Sequence, residues 1–564
     1  MLDVPSLSPT QGLHRLLRCS GCASVFYECQ DILDFSDLGH AGSDFWRSYV
    51  EVQAGIWEMI WPIAVVRGVA PRRLLEVGCG FGFSLDFWQR SQLGAACGVE
   101  VAAYGSRGRD MLGVEVFPYY LEACPELAGR TFDLVYASEV IEHVPDPQAF
   151  VRLLARWLAP DGTLVLTTPS ADFVRCENAS ATLLAALAPG FHAFLLSPRA
   201  LEVAVRGAGF AHVKVQSFGE RQVVWASRRP LDVDDSLDGA RTRYLRYIAD
   251  RSRSGVDVRS PLWQGFAYRA VRDLLNAGDV GGAAVMAKRL CDAITDVYGE
   301  AALDPTVVVP RLAVARTLAE VGEIGPYFLP CLYFLLGAIA EHAARDAEKA
   351  RNFYAGSHAA TVAAVGRLGT IHFLEAVSLV WPARVAEARL LLARGAWRQA
   401  SSLIIGLAQS TNHLEADHAF SLAAPALVEQ ALPPALDVLT DAGQRDLALE
   451  VAQSYCDYVT ARYGPELCTV AGIERAFAAG APLPGDPLLP VWAQGLRDAW
   501  RAGPASGDGA ALREVVRLAG LVEPGSANVA KCRARAVRAQ TLLAPAPAAS
   551  ITYDFSYTFK PPRG

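Results

Sequence analysis

Apolar and polar positions fall into two textures along this chain. From about 46 to 230, short unbroken apolar runs alternate with stretches of helical spacing: LLEV at 74–77, ACGVEV at 96–101, GVEVF at 113–117, FDLVYAS at 132–138 and GTLVLTTP at 162–169. Unbroken runs of this length, separated by helical patterns, predict strands buried on both faces of a mostly parallel sheet, an α/β fold. From 235 to 510 the texture changes to Ala- and Leu-rich helical periodicity with few strand signals, which predicts an all-α helical-repeat or bundle domain. The polar stretch LDVDDSLD at 231–238 is the expected linker between the two. A short head, 1–45, precedes them. A C-terminal helix and tail, 511–564, follows, with Pro/Ala-rich LLAPAPAAS and aromatic ITYDFSYTFKPPRG near its end.

Inside the helical half three segments share one pattern: DLLNAGDVGGAA with Gly278 and Ala283, LLLARGAWRQA with Gly395 and Ala400, and VLTDAGQRDLA with Gly443 and Ala448. A glycine after a leucine-rich helix end suits a left-handed turn, and the later alanine lets a second helix pack closely on the first. The pattern resembles tetratricopeptide-type hairpins at irregular spacing, a surface expected to hold a partner protein or an extended substrate.

Composition narrows the function class. The chain is 52% hydrophobic and 20% charged with net charge −7, a globular balance. It lacks the basic excess expected of a nucleic-acid binder. The longest apolar stretch, Tyr327–Ala340, contains Pro330 and falls short of the roughly 20 residues of a membrane span, so a buried helix is expected. The N-terminus shows no charged segment followed by an apolar run, and the twelve cysteines are scattered. Both fit a reducing cytoplasm.

The chemistry concentrates after the first strand of the second region, at Glu76-Val-Gly78-Cys-Gly80-Phe-Gly82. Glycines there allow a sharp turn and close approach of a ligand. Glu100, ending the next strand, can accept two ribose hydroxyls. LLEVGCGFG, GVEV, FDLVYASEVIEHVPDP and WLAPDGTLVLTTP, in this order, resemble the successive motifs of class I S-adenosylmethionine-dependent methyltransferases, whose sheet is Rossmann-like; AFLLSPRALEVAVRGAGF is similar to their late helix. The resemblance covers about 46–230. It implies S-adenosylmethionine as cofactor, with Gly78, Gly80 and Gly82 along its methionine and ribose side, Glu76 near its amino group and Glu100 on the ribose. Tyr119 and Tyr120 are expected near the adenine, and Ser138 beside the cofactor.

Glu139, Glu142 and His143 would share one face of a helix, the spacing of i, i+3 and i+4. The Glu-x-x-Glu-His pattern resembles that of ubiquinone-pathway and small-RNA 2′-O-methyltransferases, in which a later histidine completes a metal site; His192 occupies the matching place. Glu139, Glu142, His143 and His192 are therefore the candidate ligands of a divalent cation, magnesium, manganese or zinc, the plain alternative being that they cap a helix and shape the pocket. His143 with Glu142 is the expected catalytic pair, with His143 as general base where no metal is bound. In the head, LHRLLRCSGCASVFYE looks like half of a zinc ribbon; Cys19 and Cys22 have knuckle spacing, with Cys29 and His14 as possible extras, and a degenerate ribbon without metal is expected. Some sugar-modifying methyltransferases carry such a ribbon, so the leading expectation is O-methylation of a sugar hydroxyl in surface polysaccharide or nucleotide-sugar metabolism. The alternatives are an RNA 2′-O- or quinone/phenol O-methyltransferase, or a partner-binding scaffold whose methyltransferase fold is vestigial.

Overall fold

The computed structural model describes residues 2–5, 13–28, 45–68, 72–175, 180–253, 257–369, 371–410 and 425–469, with the single positions 472, 475, 476, 490, 493 and 494. Cys29 and the tail 511–564 lie outside the described residues.

Among the described residues, eleven strands form two sheets. In chain order they are β1 (Leu2–Pro5), β2 (Leu13–Arg18), β3 (Val25–Tyr27), β4 (Leu74–Val77), β5 (Ala96–Val99), β6 (Glu115–Phe117), β7 (Phe132–Ser138), β8 (Leu158–Pro169), β9 (Phe194–Leu195), β10 (His212–Phe218) and β11 (Arg221–Ser227). The large sheet runs β10-β11-β8-β7-β4-β5-β6. β8, β7, β4, β5 and β6 are parallel, and β11 is antiparallel to β8 and β10. The apolar runs become its central strands because both faces are covered: every residue of β4 and β5 is buried. Strand order reverses at β4, whose chain leaves toward β5 and later returns as β7 on the other side. The crevice beyond the carboxyl ends of β4 and β7 is where such a sheet binds a ligand.

The small sheet, β1-β2-β3-β9, is antiparallel throughout. The head is therefore built together with β9, which follows His192 in the chain. Ser24 Oγ accepts from Ser197 N–H at 3.0 Å, Tyr27 donates to the Leu187 carbonyl at 3.1 Å, and Arg18 reaches the Val174 carbonyl at 2.9 Å.

The expected linker is not free. Val233 bridges to Val66, Asp234 N–H donates to the Val65 carbonyl at 2.8 Å, and Arg67 pairs with Asp234. Its acidic residues are polar because they face outward from a docked strap, not because the strap is loose. One hydrophobic cluster runs from Val50 and the sheet through Trp225 into the helices as far as Leu379, and a second gathers Ala388 through Leu467 and Ala493.

The three expected hairpins are present. Pro261–Asn276 is followed by Val280–Tyr298, Leu374–Ala393 by Trp397–Ser410, and Pro425–Asp441 by Arg445–Tyr463. Gly278, Gly395 and Gly443 have φ of 80°, 77° and 68°. In each turn the next residue donates back across it: Asp279 to Leu274, Ala396 to Leu391 and Gln444 to Leu439, the 6→1 bond of a Schellman ending. Ala283, Ala400 and Ala448 are all fully buried. Leu318–His342 is long and apolar enough to cross a membrane by composition, but 78% of its most apolar window is buried inside the protein.

Glycine is also required where a helix meets the loop after β4. In the helix Ala103–Leu112, a Cβ at Gly108 would stand 2.0 Å from the Phe81 carbonyl oxygen. Gly108→Ala should lower the unfolding free energy by about 1–3 kcal/mol through overpacking, read as a fall in Tm. An unchanged Tm would mean that this helix is not seated on the loop.

Candidate active site

The loop 78–82 follows β4 and leads into the helix Phe83–Arg90. Gly78, Gly80 and Gly82 have φ of 70°, 54° and 87°, a region that favours glycine. A Cβ at Gly78 would also lie 2.6 Å from Val140 Cγ2, so the loop and the segment after β7 touch.

Glu100 is buried, and its carboxylate accepts from Gly80 N–H and Ala102 N–H, both at 2.9 Å. This ties the acid after β5 to the glycine loop after β4. Burial pushes its pKa up, while the two amides and Val101 pull it down. Glu76 is 2% exposed and its Oε2 has no hydrogen-bond partner. Burial raises it to about 8; the nearby Ser84 hydroxyl, which falls outside hydrogen-bond geometry, offsets this, and Glu100 adds to it. An orphaned carboxylate oxygen beside a glycine cradle suits a cationic group such as the ammonium of S-adenosylmethionine. Tyr119 and Tyr120 are exposed just after β6.

Sequence reasoning missed Tyr49 and Tyr104. Tyr49 lies in the wide turn Tyr49–Gln53, with its hydroxyl 3.4 Å and Tyr104 Cε2 3.6 Å from the Cβ position of Gly80. The two rings are 5.9 Å apart and Phe83 is 6.3 Å from Tyr49. The only signal was aromatic richness, which the core uses equally.

The segment after β7 departs from the helix expected of it. Glu139 has φ of 55°, and its N–H continues the ladder to the Thr167 carbonyl at 3.0 Å. A single 3-10 turn, Ile141–His143, follows. Pro145 bars further helix, because the residue before a proline disfavours helical angles. Asp146 then caps the helix Pro147–Arg156. The acids are consequently split. Glu139 faces β8 and β11, accepting from Thr167 Oγ1 at 2.9 Å and lying 3.7 Å from Arg221. Ser138 Oγ shares that Thr167 hydroxyl at 2.8 Å.

Glu142, His143 and His192 come together, each with a ligand-type atom within 4.8 Å of the others. Glu142 is fully buried; Oε2 accepts from Thr168 at 2.9 Å and Oε1 has no hydrogen-bond partner. Burial, then Glu139, hold it well above the usual carboxylate range. Each imidazole places Nδ1 2.8 Å from a carbonyl, His143 at Phe191 and His192 at Ala186, which assigns the proton to Nδ1 and leaves Nε2 as a lone-pair donor. Burial lowers both pKa values, that of His192 to about 3 with His143 contributing, so both rings are neutral. Ala193 fixes this corner, its N–H on the Glu142 carbonyl at 2.9 Å and its own carbonyl on Tyr27 N–H at 3.2 Å. The head thus braces the loop that carries His192. Cys19 and Cys22 sit at the β2–β3 turn; among the described residues no third donor joins them.

Residues 62–215 match the model of a family described as a methyltransferase domain. A ubiquinone biosynthesis O-methyltransferase of Paracidovorax citrulli (strain AAC00-1) is 28% identical over 195 residues, 32% of this chain and 79% of that protein. The protein of the same name from Xanthomonas oryzae pv. oryzae is 36% identical over 107 residues, 18% of this chain and 44% of its own length. This chain thus spans less than half of the Xanthomonas relative. Among solved structures, an S-adenosylmethionine-dependent methyltransferase from Mesorhizobium loti is 19% identical, covering 30% of this chain and 98% of that one, with a TM-score of 0.26.

Proposed function

We propose that the S-adenosylmethionine-dependent methyltransferase domain at residues 62–215 makes this protein an O-methyltransferase, with His143, Glu142 and His192 facing the acceptor hydroxyl. The observation that carries this is the buried Glu142 oxygen without a partner, set between two imidazoles whose Nδ1 atoms are tied to carbonyls. The name of the curated relatives supports a phenolic hydroxyl of a quinone precursor as acceptor. The sugar hydroxyl is the second reading, supported by the ribbon-like strands β1–β3 in front of the domain.

When bound, S-adenosylmethionine supplies an electrophilic methyl group on a sulfonium. Glu100 would hold its ribose and Glu76 its ammonium, and Gly78 to Gly82 would leave room for it. Glu142, His143 and His192 fit a divalent cation: two neutral imidazoles and a carboxylate are a common donor set, and Nδ1 on a carbonyl is how ligating histidines are oriented. Their ligand-type atoms lie within 4.8 Å of one another, so these three residues would hold the ion. A cation there would lower the pKa of the acceptor hydroxyl. Where no cation occupies that lone pair, His143 Nε2 can instead take the hydroxyl proton as the oxygen attacks the methyl carbon and the sulfonium sulfur leaves with the bonding pair. The main contribution of the protein is to align oxygen, methyl and sulfur and to exclude water.

Purified protein with methyl-labelled cofactor should label catechol-type phenols, and EDTA should remove the label. Transfer to nucleotide sugars alone would replace the first acceptor by the second, and transfer that survives EDTA would remove the cation.

Glu76 adds a pH prediction. Its pKa near 8, above its ordinary value, makes it protonated in the free protein at neutral pH. That stabilises the fold at low pH, and the contribution is lost as pH rises from about 4.5 through 8. Pairing with an ammonium requires the ionised form, so binding at pH 7 should release about one proton, measured by calorimetry in buffers of different ionisation enthalpy. Groups that bear on it are Ser84 and Glu100, with Tyr49 and Tyr136 nearby. Glu76→Gln should abolish the release; release persisting in that variant would assign the proton elsewhere.

A further inference from the structure

Two helices of the helical half, Asp238–Arg253 and Pro261–Asn276, hold the elements that flank the glycine loop, from two directions. On one side is Asp86, in the first turn of Phe83–Arg90. It accepts from Arg251 Nε and Tyr247 Oη, each at 2.6 Å, and from Arg251 Nη2. Phe266 meets Phe83 edge to face at 5.8 Å. On the other side is Arg269, itself 2% exposed. Its Nη1 donates to the carbonyls of Val50 (2.9 Å), Glu51 (3.1 Å) and Gly265 (3.0 Å), and its Nη2 to that of Ala54 (2.9 Å).

A buried guanidinium whose hydrogen bonds go to carbonyl dipoles carries a desolvation penalty that only good geometry offsets. What this geometry does is close the end of the turn Tyr49–Gln53, whose last carbonyls a helix leaves unpaired. The same turn is held again through Glu51, which accepts from Arg47 Nε at 2.7 Å and Tyr327 N–H at 2.6 Å. A Cβ at Gly265 would lie 2.3 Å from the Val50 carbonyl oxygen, so the helix backbone rests directly on the turn. Tyr49 points the other way, to Gly80.

We propose that Arg269 is a positioning residue: from the helical region it locks the Tyr49–Gln53 turn so that Tyr49 closes over Gly80, and it thereby sets the affinity for S-adenosylmethionine. This rests on the reading of 78–82 as the cofactor loop. The helical region is then part of the cofactor site rather than a separate docking module. Tyr49 Oη and Tyr104 Cε2 line the Gly80 backbone, and a sulfonium cation bound beside them would gain from a nearby aromatic ring.

Arg269→Lys keeps the charge but not the fork, and a lysine cannot serve these carbonyls at once. In the full-length protein, calorimetry with S-adenosylmethionine should show Kd raised about tenfold in Arg269→Lys and in Tyr49→Ala, and no further in the double variant, because preorganisation is lost only once. In turnover the larger change should be in the KM for the cofactor, not in kcat. Unchanged Kd in either single variant, or effects that multiply in the double, would overturn the proposal. Tyr49→Ala decides it alone should Arg269→Lys not fold. Absence of binding by the unaltered protein would instead remove the cofactor reading on which the proposal stands.

Discussion

Glu100→Ala should raise the Kd for S-adenosylmethionine by a hundredfold or more. A carboxylate that accepts two ribose hydroxyls makes two charge-assisted hydrogen bonds, each contributing about 1.5–3 kcal/mol, and every 1.4 kcal/mol is tenfold in affinity. The structure adds a second reason. Glu100 already accepts from Gly80 and Ala102 N–H, so it shapes the loop that it shares with the ligand. Each carboxylate oxygen has a second lone-pair direction, which leaves the ribose its partner. The side-chain stem is gripped as well: a Cβ at Gly105 would stand 2.5 Å from Glu100 Cγ. Glu100→Gln is the finer test, since it keeps the shape but turns an amide N–H₂ toward one of the two backbone donors. It should lose most of the same affinity, with a lower Tm in both variants as buried donors lose their acceptor. Binding within about threefold of the unaltered protein, measured by calorimetry on protein shown to be folded, would place the ribose elsewhere.

What the sequence made legible was what depends on neighbours in the chain. The glycine loop and Glu100 are joined by strands one βα unit apart, and each hairpin glycine needs only its own turn. These patterns therefore predicted the parallel sheet and the 278, 395 and 443 turns without knowledge of packing. Glu139 was misplaced because helical spacing was assumed for Glu139–His143; its ladder bond to Thr167 and the veto of Pro145 break the helix. The Arg269–Val50 and Arg251–Asp86 contacts join residues 219 and 165 positions apart, and no periodicity encodes such pairs. For the same reason the strap at 231–238 read as a linker: its docking on Val65 to Arg67 is visible only once both segments are placed.

His143→Ala should leave S-adenosylmethionine binding intact and reduce turnover by about 10²–10⁴-fold, the range for a lost general base. The contacts of the glycine loop and Glu100 do not include His143, whose own anchor is the Phe191 carbonyl. Its Nε2 is 4.0 Å from Glu142 Oε1, and its ring centre is 4.7 Å from that of His192. These contacts separate two ways of losing activity. If His143 acts alone as a base, His192→Ala removes only a neighbour and should retain much of the turnover. If the three residues hold a cation, then His143→Ala, His192→Ala and Glu142→Gln should each lose both turnover and bound metal, because a site of three protein ligands tolerates no gap. Metal content by mass spectrometry, read beside single-turnover rates at saturating cofactor, distinguishes the two. Full turnover in His143→Ala would exclude the residue from the chemistry under either scheme. Retained turnover in His192→Ala would leave His143 as the base, oriented by the Phe191 carbonyl at its Nδ1.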